Sequence, residues 1–294
     1  MSDEPIPLSE PSLGGHAGEY LQECIRTNFV SSVGPFVTRF EREFAEFVGV
    51  KHAVACSSGT AALHVAFRLL GIKPGDEVLV PSLTFIASAN AAAYLGARIT
   101  FVDSEAETWN LDLGLVVDEL ERRNRAGAAQ PTAIEIVHLL GHPAALERLR
   151  ARADAFGIPI VEDAAEALGA SWASGELRGR HVGTVGRVGC FSFNGNKVMT
   201  TGGGGMLVTD DQGLADKARH LTTQARLPGL ACEHDEIGYN YRLTNVAAAL
   251  GVAQLELLPE FLDKKRAIAD RYDDAFAGLG AISHAPRAPW AKSS

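Results

Sequence analysis

Four short stretches of this chain hold residue types that could do chemistry together. Ser57-Ser-Gly-Thr60 follows an apolar run and opens a helical pattern. Hydroxyls at such a place cap a helix, and free amides backed by the helix dipole can also hold a phosphate. Phe85 ends Pro81-Ser-Leu-Thr-Phe85 after a second apolar run; a flat ring there either fills core or stacks on a planar ligand. Glu162-Asp163-Ala-Ala-Glu166 follows a third run. An aspartate at the end of a buried strand is costly unless it meets a cation or several donors, so Asp163 is either a helix cap or the partner of a positive group. Lys197 lies in Phe191-Ser-Phe-Asn-Gly-Asn-Lys197-Val-Met-Thr-Thr-Gly-Gly-Gly-Gly205, among small and apolar residues with little carboxylate nearby. A lysine so placed can act on a carbonyl as a nucleophile, while the glycine run also reads as a tight turn.

Taken together, a phosphate cradle, an aromatic plate, a carboxylate and a lysine are the parts that a pyridoxal 5'-phosphate site requires. The lysine would hold the aldehyde, and the carboxylate would keep the pyridine nitrogen protonated. The helix N-terminus would take the phosphate, and the ring would fix the plane. Other nucleotide-type loops are missing: the chain has no G-x-x-x-x-G-K-[ST], and Gly183, Gly186 and Gly189 are spaced three apart. His138 and His142 in HLLGH have a spacing that could bind zinc on a helix, but Gly141 and Pro143 break a helix there. A strand-end loop and no metal site are expected.

These residues need strands to deliver them to one edge. Ala53–Cys56, Glu77–Val80, Arg98–Val102, Thr132–Val137 and Ile158–Val161 read as short buried strands, with Cys190–Phe193 and Met206–Thr209 as further sheet. Helical patterns at Thr60–Leu70, Phe85–Leu95, Leu113–Asn124 and Ala144–Phe156 alternate with them. That alternation predicts an α/β fold with a mostly parallel central sheet flanked by helices. Ligands of such sheets bind at the carboxyl ends of strands. Glu19–Thr27 reads as helical and Ser31–Pro35 as a turn. Gln212–Gln224, Leu243–Leu257 and Pro259–Phe276 follow as helices, and Ala277–Ser294 closes without a regular element.

The 294 residues carry a net charge of −9 and 46% hydrophobic residues. This allows a large core and argues against a binder of nucleic-acid phosphates. No apolar run reaches the roughly 20 residues of a membrane helix, and the first residues do not read as a signal peptide. Cys24, Cys56, Cys190 and Cys232 are widely spaced and read as reduced thiols in a cytoplasmic protein.

The chain resembles the PLP-dependent sugar aminotransferase family of fold type I. The resemblance rests on Asn28-Phe-Val-Ser-Ser-Val-Gly34, SSGTAAL (57–63), GDEVLVPSLTF (75–85), VEDAAEALGA (161–170), FSFNGNKVMTTGGGGM (191–206) and GYNYRLTNVAAALG (238–251). The wording TNFVSSVG is most similar to the subgroup that aminates C4 of UDP-4-keto-6-deoxy-N-acetylhexosamines. The resemblance implies Lys197 as the Schiff-base lysine and proton carrier, Asp163 at the pyridine nitrogen and Phe85 on the ring. It implies Ser58, Gly59, Thr60 and Ser192 at the phosphate and Glu166 near the cofactor's 3'-oxygen. A loop of a second subunit completes the phosphate site in the family, which implies a homodimer with Asn240 or Arg242 as that contact. The implied substrates are a nucleotide-linked ketosugar and L-glutamate, with no nucleic acid or membrane partner. Two alternatives stand beside it: C3 amination of a dTDP- or GDP-linked ketosugar, and a chain that binds the cofactor without catalysis. The implied organisation is an arm (1–35), a PLP-binding large domain (36–250) and the incomplete start of a C-terminal small domain (251–294).

Overall fold

Seven short strands, separated by helices that each bury one stripe, form one sheet in the computed structural model, which describes residues 7, 9–229, 231–285 and 287–294. Residues 1–6 and 8 of the expected arm lie outside the described residues. The strands are β1 (His52–Cys56), β2 (Glu77–Pro81), β3 (Arg98–Val102), β4 (Ala133–Val137), β5 (Ile160–Asp163), β7 (Val188–Ser192) and β8 (Gly205–Thr209), with β6 (Ser171–Trp172) outside this sheet. Their spatial order is β1-β8-β7-β5-β4-β2-β3. All neighbours from β3 to β7 are parallel, and β8 alone runs antiparallel to both its neighbours. The carboxyl ends of six strands therefore share one edge, and β8 begins there with Gly205. This is the expected mostly parallel α/β sheet.

Alternation along the strands divides the core into two layers. Helices α3 (Gly59–Leu69), α4 (Ala87–Ala93) and α7 (Gln212–Thr222) cover the face that carries Val54, Val78, Val80, Ala133, Val161 and Cys190. Helices α1 (Ala17–Thr27), α2 (Pro35–Val48), α5 (Leu113–Ala126), α6 (Glu147–Phe156) and α8 (Asn245–Phe276) belong to the other layer, with Leu79, Ile134, Ile136 and Ile160. There the α2 rings lock onto β7: Phe44 meets Phe191 at 5.1 Å and Phe40 meets Phe193 at 5.3 Å between centroids. These are edge-on or tilted contacts of the kind that aromatic quadrupoles favour.

Three features differ from the sequence reading. Pro35 does not end a turn but starts α2, as its fixed φ suits a first helical position. The helix has no side-chain cap of its own in the preceding residues; Asn245 supplies it from 209 residues away, its Oδ1 accepting from Phe36 N at 2.9 Å. Pro259 does not divide two helices but lies inside α8, which continues for 32 residues; burial of Leu255, Leu258, Phe261 and Leu262 on either side holds it together. Finally, the tail does contain an element, since β9 (Ala291–Lys292) pairs antiparallel with β6.

The edge strand β1 is closed by side chains and by a strap. Glu41 Oε1 accepts from Ala55 N at 2.8 Å, and Arg242 Nη1 donates to Ala55 O at 3.2 Å. Tyr241 O accepts from Ser57 N at 2.7 Å. An open edge is thereby covered, and the loop after β1 is fixed in place.

Candidate active site

The site grows from the common edge of the sheet. At the end of β1, Ser58 caps α3, its hydroxyl accepting from Ala61 N at 3.0 Å. The amides of Gly59 and Thr60 precede the first intrahelical bond, from Ala62 N to Ser58 O, and are left for a ligand. Ser192 ends β7 opposite Gly205 of β8. The backbones approach so closely that a Cβ on Gly59 would lie 2.8 Å from Ser192 Cβ, and one on Gly205 would lie 2.4 Å from the Ser58 carbonyl carbon. Glycine is needed at both places because nothing larger fits.

At the end of β5, Asp163 stands in the middle of the edge, only 6% exposed. Its Oδ2 accepts from Ser88 Oγ at 2.9 Å and its Oδ1 from Ala165 N at 3.0 Å. Burial raises its pKa above the ordinary aspartate value, while these two donors and the Lys197 charge pull it back down. Ser88 in turn meets Thr84 Oγ1 at 2.8 Å. The preceding Glu162 points to the opposite face and is fully buried. Burial would raise its pKa, but His138 Nε2 at 2.8 Å and amides of the 183–186 loop bring the net shift below the usual carboxylate value. Gly183 and Gly186 thus wrap a carboxylate rather than a phosphate.

Lys197 follows β7 by a short turn, with its Nζ 3.2 Å from Glu166 Oε1. The expectation of little carboxylate nearby is corrected here: the β5–β6 connection brings Glu166 to it across 31 residues. Glu166 Oε2 accepts from Leu140 N at 3.0 Å. Leu140 has φ 52° and ψ 27°, a left-handed conformation that costs a leucine about 1 kcal/mol or more. Its amide is turned to the carboxylate by that conformation.

These residues line one cavity of about 580 Å³. Ser58, Gly59, Thr60, Phe85, Asp163, Glu166, Ser192 and Lys197 all face it. Phe85 is 76% exposed, so the core-filling reading is set aside and its ring is free to stack on a flat ligand. The sequence reading missed Thr84, Asn194, Asn196 and the Leu139–Leu140 turn on the wall, and Ser88 behind Asp163. Ser88 is an alanine-like small residue in an alanine-rich helix, and only the pairing of strands shows what it touches.

Asn240 and Arg242 are not brought to this cavity within one chain. Asn240 is exposed, its Oδ1 accepting from Gln224 Nε2 at 2.9 Å. Arg242 is bound to Glu41 at 2.7 Å. His138 and His142 both spend their ring nitrogens on hydrogen bonds to Glu162, Ala144 N, Pro143 O and Ala288 N. Among the described residues, the cluster suited to a metal by its donors is His220, Asp235 and Glu236, but Glu236 is already paired to Lys217 and Arg68.

The donor set fits pyridoxal phosphate. A tight glycine-lined cradle lies at a helix N-terminus with hydroxyls beside it, and a buried carboxylate ends β5, the strand next to the one that leads into the lysine's loop. Lys197 is the cavity's sole cationic side chain among the described residues.

Known proteins agree with this chemistry. The model of the DegT/DnrJ/EryC1/StrS aminotransferase family matches residues 11–294. The chain is 45% identical over 281 residues to EpsN of Bacillus subtilis (strain 168), named as a candidate pyridoxal phosphate-dependent aminotransferase, covering 96% of this chain and 71% of that one. It is 44% identical over 267 residues to the GDP-perosamine synthase of Escherichia coli O157:H7, covering 91% and 70%. Among solved structures, the aminotransferase TlmJ from Streptoalloteichus hindustanus superposes with a TM-score of 0.88 at 33% identity, covering 98% of this chain and 76% of that one.

Proposed function

The chain belongs to the DegT/DnrJ/EryC1/StrS aminotransferase family, whose cofactor is pyridoxal phosphate and whose work is nucleotide-sugar biosynthesis, and from that premise we propose that it moves an amino group from L-glutamate to the C4 ketone of a nucleotide-linked 4-keto-6-deoxy sugar. The observation that carries this reading is the single cavity in which Lys197, Asp163, Phe85 and the Ser58–Thr60 cradle meet.

When bound, pyridoxal phosphate supplies an aldehyde for amine exchange and a pyridinium ring that accepts carbon-bound electrons. Lys197 would hold the aldehyde and carry a proton on Nζ between steps. The Glu166 carboxylate, 3.2 Å away, accepts a hydrogen bond from that amine and fixes where it points. Asp163 would hold the ring nitrogen, Phe85 would press on the ring, and the Gly59 and Thr60 amides with the Ser58, Thr60 and Ser192 hydroxyls would bind phosphate. Glu166 is the residue nearest in role to the 3'-oxygen contact.

The cradle offers a phosphate only neutral donors. The reading includes a homodimer in which a second copy adds to the site, and of the two strap residues Asn240 is the better contact because it is exposed, whereas Arg242 is held by Glu41. The division into an arm (1–35), a large domain (36–250) and a small-domain segment (251–294) is proposed on the same family ground. Among the described residues no helix is long and apolar enough to cross a membrane.

Two nucleotides are supported by separate observations. Relatives named GDP-perosamine synthase, 42–44% identical, favour a GDP-linked sugar. The TNFVSSVG wording at residues 27–34 favours a UDP-linked N-acetylhexosamine. Incubating the purified chain with pyridoxal phosphate, glutamate and a panel of GDP-, UDP- and dTDP-linked ketosugars decides among them by the mass of the aminated product. Amination of none of these sugars would overturn the reading.

A further inference from the structure

Beneath Asp163 lies a second acid that nothing in the reaction uses. Glu135 sits in the middle of β4, 0% exposed, and neither carboxyl oxygen has a hydrogen-bond partner among the described residues. Parallel register places Glu135 beside Val161 and Val137 beside Asp163. Side chains two residues apart share a face, so Glu135 and Asp163 point into the same layer, one pleat apart on neighbouring strands. That layer otherwise holds Ala133, Val161, Val80, Ala91, Ala92 and the Cys190 thiol.

Two acids in so dry a place do not both ionise, because each charge lacks water and repels the other. Which of them keeps the proton is decided by donors. Asp163 has Ser88 Oγ at 2.9 Å and Ala165 N at 3.0 Å, and Lys197 lies on its open side; Glu135 has none. Ser88 is itself fully buried. It has one hydroxyl hydrogen and gives it to Asp163, so Thr84 must donate to Ser88 in the 2.8 Å contact. The charged groups facing this pair are Glu166 and Lys197 at the cavity; Glu162 lies on the other face and is satisfied by His138 and backbone amides.

We propose that Ser88 is a positioning residue that puts the single negative charge of a buried acid pair on Asp163, with Glu135 as the member that keeps its proton. The assignment deepens the reading of Asp163 as the carboxylate for the ring nitrogen: a fixed charge there, rather than one shared with a neighbour, is what holds a pyridine proton. The proton assignment itself needs no cofactor, so its test separates from that reading.

Infrared spectroscopy of the cofactor-free chain at pH 7 reads it, because exposed carboxyls are ionised there and a neutral buried acid keeps its own carbonyl stretch. We expect that stretch in the wild-type chain, its loss in both Glu135→Gln and Glu135→Met, and its retention in Asp163→Asn. In Ser88→Ala the band should grow, to at most about twofold, as Asp163 takes up a proton in the absence of its donor. The two Glu135 variants guard against loss of folding in either one, with circular dichroism as the control. A band that survives both Glu135 variants and vanishes in Asp163→Asn would place the proton on Asp163 and overturn the proposal. So would the absence of any such band in the wild-type chain, or an unchanged band in Ser88→Ala.

Discussion

Arg242 donates to Glu41 at 2.7 Å with the two side chains only 12% and 11% exposed, so the last residue of the 238–242 strap is anchored in the body of the chain. The same guanidinium holds Ala55 O, and Glu41 holds Ala55 N. The pair therefore clamps both backbone polar groups of one residue in the edge strand that leads to Ser58.

This fixes different fates for two neighbouring substitutions. Arg242→Ala leaves Glu41 with only the longer 3.8 Å contact to Arg219 and should cost about 2 kcal/mol of stability, the loss of a hydrogen bond between charged groups, read by chemical denaturation. Asn240→Ala removes an exposed side chain and should leave stability within about 0.5 kcal/mol. It should instead weaken cofactor retention in the assembled enzyme by roughly tenfold, the loss of one good hydrogen bond to a charged group. Equal effects on stability would contradict the assignment of roles.

Phe44 carries the joint between α2 and the sheet, with rings of Phe40, Phe191 and Phe193 around it. Phe44→Ala should cost about 3–5 kcal/mol, as a cavity opens where nothing can collapse to fill it. Cofactor binding in the folded fraction should be unchanged. A loss under 1 kcal/mol would show that this cluster does not hold the layer.

Glu135 makes a prediction with a definite sign. Burial raises its pKa well above the ordinary value of 4.5, so above that pH the folded chain binds a proton that the unfolded chain has lost. Stability then falls as pH rises through the window between the unfolded and folded values, by up to about 1.4 kcal/mol per pH unit. Glu135→Met removes this drain. Its stability gain over wild type should be larger at pH 8 than at pH 5, measured by denaturant midpoints; a gain independent of pH would contradict a neutral, buried Glu135.

Much of this architecture was legible because it depends on local patterns. Runs such as Val78–Val80 and Ile134–Val137 could only be buried strands once helices alternated with them, and Ser58, Asp163 and Lys197 fell at strand ends by counting alone. What was hidden depends on partners distant in sequence. The start of α2 is capped by Asn245, and α8 passes Pro259 because packing on both sides outweighs one lost hydrogen bond. Glu166 reaches Lys197 and Ser88 reaches Asp163 only through the order of strands. Arg242 and Asn240 looked alike in the motif, and burial separates them.

Lys197 is the residue proposed to hold the cofactor and exchange it with an amino donor. The direct measurement is the visible absorption spectrum of the purified chain with pyridoxal phosphate, before and after glutamate, beside Lys197→Ala. The wild-type chain should show the band of a lysine-linked cofactor, which glutamate converts to the shorter-wavelength amine form, and Lys197→Ala should show neither the band nor turnover. A band and turnover that persist in Lys197→Ala, or a folded wild-type chain that forms no such band, would contradict the account.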